Sequence, residues 1–109
     1  MEIKYRNIEH DKLKTMGSNY NYAIKRISEM NRATTMSPSE RDIKEMYVRY
    51  VMKIGKCYMQ FNELEKTFLQ NEYFCPLPKG WWMSIYPRST YYRIRLSVAR
   101  RFLYLLSIA

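Results

Sequence analysis

Strong helix breakers are scarce in this chain of 109 residues, which holds three glycines and four prolines. Pro38 follows a serine, Pro76 and Pro78 gather with Gly80 in the stretch 75–80, and Pro87 precedes a run to Ala109 that contains no breaker. The intervening stretches are rich in Met, Lys, Arg and Glu, which suit helices. Punctuation this sparse predicts an all-α fold, a small helical domain with few loops. At this length the chain can build one modest core.

The segments follow from caps and apolar spacing. Residues 1–18 are charged and end at Gly17-Ser18. Their apolar side chains (Tyr5, Ile8, Leu13, Met16) look too scattered for an element, which predicts a flexible or loosely docked arm. The remainder, 19–109, then forms a single helical domain. Tyr20, Ala23, Ile24, Ile27 and Met30 recur at helical spacing and predict a first helix over about 19–34. Ser37-Pro38-Ser39-Glu40 has a hydroxyl cap, a proline at the first helical position and a glutamate three residues after the cap. The helix it starts carries Ile43, Met46, Tyr47, Tyr50, Val51, Ile54, Tyr58 and Phe61 on one face, with Gly55 as a place where it could kink. Asn62-Glu63-Leu64-Glu65 repeats the capping pattern and opens a short helix to about residue 73. A stiff Pro-rich loop follows, then an apolar segment over 80–86 that reads as one or two helical turns. Ser89 is the predicted cap of the last helix.

Charge is distributed unevenly along these segments. From Tyr73 to Ala109 there are six Lys or Arg (Lys79, Arg88, Arg93, Arg95, Arg100, Arg101) and no Asp or Glu. The first 72 residues hold 13 basic and 10 acidic side chains, so about two-thirds of the +9 net charge lies in the last third of the chain. A one-signed helical surface attracts a polyanion. At about 100° per residue, Tyr91, Ile94, Val98, Phe102 and Leu105 share one arc of the last helix. Thr90, Arg93, Ser97, Arg100 and Arg101 fall opposite, while Arg95 lands on the inward side. The free N–H groups at the start of such a helix favour phosphate, and arginines can grip phosphates or read guanine edges.

The stretch from Leu64 to about Leu106 resembles the fourth conserved region of bacterial sigma factors. It is still more similar to the helix-turn-helix of ArpU-type phage transcriptional regulators. The resemblance rests on Leu64-Glu65-Lys66 with Tyr73, on Pro87-Arg88-Ser89-Thr90-Tyr91-Tyr92-Arg93 as turn and helix start, and on Ala99 with Phe102-Leu103 as later packing positions. It implies a helix-turn-helix unit over about 62–109 and a DNA-binding transcriptional regulator. Arg88, Ser89, Thr90, Tyr92, Arg93 and Ser97 would approach the major groove, and Lys79, Arg100 and Arg101 would hold the backbone. RNA polymerase is a further partner the resemblance implies. Trp81-Trp82-Met83-Ser84-Ile85 is bulkier than the family's middle helix.

Other chemistries lack their residues. His10 is the one histidine and reads as a solvated side chain of the arm. With Cys57 and Cys75 it cannot supply a usual four-ligand zinc site without carboxylates. No phosphate-binding glycine loop or catalytic constellation is visible, so no enzyme, metal or cofactor is expected. The two cysteines suggest no disulfide scaffold, and the longest apolar run, Phe102 to Leu106, is too short to cross a bilayer. A cytoplasmic or nucleoid location is the expectation. Two alternatives to double-stranded DNA binding stand beside it. One is a protein-interaction module, pairing with a second copy or with polymerase through the flank Tyr92, Leu96, Leu103 and Leu106. The other is RNA binding through the basic helix, with Trp81 and Trp82 either wedged against the second helix or stacking on unpaired bases.

Overall fold

A computed structural model describes residues 7–109, and among them there are helices, turns and loops but no strand. Helix α1 spans Ile8–Asn31, α2 Pro38–Tyr58, α3 Glu63–Leu69 and α4 Arg88–Ile108. A π-helical turn, Gln70–Phe74, continues α3. The all-α expectation holds.

The predicted arm corresponds to structure from Asn7 onward; the part before it lies outside the described residues. Asn7 caps α1, its side chain accepting from the His10 N–H at 3.0 Å. Leu13, Met16 and Gly17 are buried. Gly17 looked like a stop, but it is a crossing point. A Cβ there would lie 2.9 Å from the Tyr73 carbonyl carbon and closer still to its oxygen. Only a residue without a side chain lets α1 pass this near the π-helical turn. The stripe Leu13, Met16, Tyr20, Ala23 therefore continues through Gly17 as one helix.

The other helix starts follow the sequence more closely. Ser37 Oγ accepts from the Glu40 N–H, with Pro38 at the first position. Asn62 and Glu65 form a reciprocal capping box, with bonds of 2.8 and 3.0 Å. Helix α2 runs through Gly55 unbroken. Helix α4 starts one residue before its expected cap. Pro87 occupies the cap position and no side chain caps the helix, so Ser89 lies inside its first turn.

The core gathers where α1, α2 and α4 meet the π-helical turn. Leu13, Ile54, Leu69, Tyr73, Phe74, Val98, Ala99 and Phe102 fill it. The π-helical turn inserts an extra residue into the spiral, and Tyr73 and Phe74 are both buried. The Phe74 carbonyl accepts from Asn21 Nδ2 at 2.7 Å, so this irregular backbone is satisfied from α1. A second cluster joins Phe68, Trp82 and Tyr91, with Trp81 and Tyr86 against it. The tryptophans thus wedge against α3 and α4, not α2. The segment 80–86 is a series of turns without a regular helix: Met83 N–H donates to Gly80 O and Ile85 N–H to Trp82 O across three residues, and Tyr86 N–H donates to Trp82 O across four. Gly80 starts it at φ +85°, a left-handed conformation that suits glycine.

Candidate nucleic-acid interface

Helix α4 divides its basic residues between three environments. Its outer stripe, Ser89, Arg93, Ser97, Arg100 and Tyr104, is exposed, and Thr90 is half-buried. Pro87 donates nothing and no side chain caps the first turn, so the leading N–H groups lack a side-chain partner at an exposed helix start. Arg88 is exposed there, with its guanidinium 5.7 Å from the centre of the Tyr92 ring. Arg93 is exposed beside Ser97 in a shallow groove that also takes in Leu64, Glu65 and Tyr86. Neither Arg88 nor Arg93 is paired with a carboxylate among the described residues.

The next two arginines differ from the expectation that both hold a phosphate backbone. Arg101 is committed internally. Its guanidinium meets the Glu65 carboxylate at 3.1 Å, donates to the Gln60 carbonyl at 2.8 Å and lies 4.6 Å over the Phe61 ring. It fastens α4 to the corner between α2 and α3. Arg100 pairs with Glu9 of α1 at 3.4 Å. The backbone hydrogen bond that Glu9 accepts at the start of α1, aided by Arg100, holds its carboxyl below the usual range. This pair is solvent-exposed and weak, so Arg100 can exchange it for another anion. The sequence could not show either carboxylate, because Glu9 and Glu65 are remote in the chain.

Arg95 is drawn inward. Its guanidinium lies 4.7 Å from the Tyr92 ring centre and 5.7 Å from that of Tyr91, and its Nε is shielded from solvent with no hydrogen-bond partner. Arg95 lines a cleft of about 650 Å³ between α1, the π-helical turn, the 75–87 segment and the start of α4. Lys14, Lys79 and Arg88 stand around it, and Trp81, Trp82, Tyr91 and Tyr92 form its aromatic lining. Trp82 and Tyr91 stack at 4.2 Å with planes 9° apart. The one carboxylate among its described lining residues, Glu72, is engaged by neutral donors: Trp81 Nε1 at 2.8 Å and the Tyr91 hydroxyl. Burial first, then that Glu72 contact, raises Tyr91 well above the ordinary phenol range. His10 is part of this wall, half-buried and sharing a 2.8 Å hydrogen bond with the Tyr73 hydroxyl. Desolvation, then the positive charge of Arg95, lowers its pKa. It is a packed residue, contrary to the solvated arm histidine read from the sequence.

The apolar flank of α4 is largely used within the fold. Leu103 and Leu106 pack on the main core and Leu96 is half-buried, leaving Tyr92 as its exposed member. No helix is long and apolar enough to cross a membrane, and no group of three or more potential metal ligands is found among the described residues. Comparison with protein families, curated proteins and solved structures finds no match.

Proposed function

We propose that this protein binds double-stranded DNA through the amino-terminal half of α4 and acts as a transcriptional regulator in the manner of a helix-turn-helix. The observation that carries the reading is the exposed, uncapped start of α4 with Arg88 and Arg93 unpaired among the described residues, in a segment without acidic side chains. In this reading Ser89, Arg93 and Ser97 face the major groove with Thr90 at its edge, while Arg88 and Tyr92, on the other side of the helix's first turns, reach the flanking backbone. Lys79 holds a phosphate from the neighbouring turn. Arg101 drops out of the contact set, and Arg100 joins only by releasing Glu9.

Anisotropy of a labelled duplex tests this. Arg93→Ala should weaken binding roughly tenfold, the cost of one lost base or phosphate contact. Arg41→Ala, on the exposed face of α2, should change it less than twofold. With Lys79, Arg88 and Arg93 as three cations outside any ion pair among the described residues, log affinity should fall with log salt at a slope of about −3. Equal losses from Arg41→Ala and Arg93→Ala would mean diffuse attraction and overturn the reading.

A second reading, protein contact through another copy, draws on a different place. The distal parts of α1 and α2 leave Ile24, Ile43 and Met46 exposed, although these residues continue the core-facing stripes.

A further inference from the structure

We propose that the cleft behind the start of α4 binds one nucleotide, its phosphate taken by the cations at the rim and its base by the aromatic lining. It shares Lys79, Arg88 and Tyr92 with the duplex contact set, but not Arg93, Ser97 or Arg100. At about 100° per residue, Arg88, Tyr92 and Arg95 lie on the side of α4 away from Arg93, Ser97 and Arg100.

Three observations converge on that ligand class. The first is shape: about 650 Å³ falls in the range of small-molecule sites, roughly 300–1,000 Å³, and is far more than a lone phosphate fills. The second is charge. Lys14, Lys79, Arg88 and Arg95 face the cleft against a single carboxylate, and that carboxylate is already occupied by Trp81 and Tyr91. None of the four cations is in an ion pair among the described residues. The third is Arg95, which lines the cleft and stands in no ion pair among the described residues. A phosphate in the cleft would give this guanidinium a counter-ion. An anion alone would satisfy the charges but would not use the rings that remain accessible, half-buried Trp81 and exposed Tyr92, in front of the buried Trp82–Tyr91 stack. A ring-bearing phosphate uses both, because base–aromatic stacking works for any base.

The ligand can be a free mononucleotide or an unpaired nucleotide within a strand, and the two are separable. Trp81 and Trp82 are the only tryptophans in the chain and both line the cleft, so their emission reports this site. The full-length protein is titrated with adenosine monophosphate, with a short oligothymidylate, and with inorganic phosphate. A saturable emission change with either nucleotide ligand is expected. Adenosine monophosphate alone identifies a free nucleotide, and a tighter oligothymidylate identifies a strand. The double variant Lys79→Ala/Arg88→Ala changes exposed residues only and should weaken the nucleotide at least tenfold. Tyr92→Leu should weaken it about tenfold through lost stacking. Arg93→Ala should leave it unchanged, so failed duplex binding with intact nucleotide binding would remove the DNA reading and spare this one. No saturable change with either nucleotide ligand would overturn the proposal. So would equal affinity for inorganic phosphate, or equal nucleotide affinity in the double variant.

Discussion

At the residue scale, the two helical glycines mean opposite things, and only their surroundings show it. Gly17 lies against the Tyr73 backbone, while a Cβ on Gly55 would meet nothing within 4 Å. Gly17→Ala should therefore destabilise by about 3 kcal/mol, since backbone must move to admit the methyl group. Gly55→Ala should stabilise by about 0.5–1 kcal/mol, because alanine loses less backbone freedom in a helix. Urea unfolding of both variants checks the pair; a neutral Gly17→Ala would refute the close crossing. His10 makes a second case. Its pKa in the fold is lowered, so the unfolded chain binds the proton more readily. The stabilisation is complete above pH about 6.5 and declines as pH falls from there towards the lowered value. Thermal midpoints at pH 7.5 and 5.5 should show a drop in the native protein and a smaller drop in His10→Gln, which cannot take up that proton.

At the scale of the element, legibility followed the locality of the cause. The starts of α2 and α3 were readable because Ser37–Glu40 and Asn62–Glu65 satisfy their own backbone within one turn. The inward arc of α4 was readable for the same reason: Tyr91, Val98 and Phe102 are buried at helical spacing. Helix α1 was half-missed because the reason for Gly17 lies 56 residues away, at Tyr73. The π-helical turn gave no signal either. Its extra residue is supported by the Asn21 bond to the Phe74 carbonyl and by packing from three helices. In 80–86 the local apolar pattern suggested helical turns, but Gly80 and the stacking of Trp82 on Tyr91 set a tighter, irregular path.

At the scale of the molecule, the chain is elongated, 54 × 31 × 27 Å, because the α1–α2 pair extends beyond the packed end. That end holds both clusters, the cleft and the outer stripe of α4. The projecting part has Ala23 and Met30 buried but Ile24, Ile43 and Met46 exposed. Exposed apolar side chains of this kind favour association. If a second copy covers it, light scattering should show a dimer at high protein concentration that Met46→Glu dissociates. A monomer throughout would dispose of that reading without touching the cleft or the α4 stripe, which lie at the other end.

By itself the sequence determined that this chain is helical, where two of its helices begin, which face of the last helix is buried, and that its positive charge is concentrated in the final third. These are consequences of periodicity, capping and composition, all of which act over a few residues. Only the tertiary structure decided which of those charges are free. Glu9 and Glu65 approach α4 from distant positions and engage Arg100 and Arg101, while Arg95 turns inward to a cleft assembled from four separate segments. Coulombic pairing and desolvation depend on distances in space, and distances in space are set by how the helices cross.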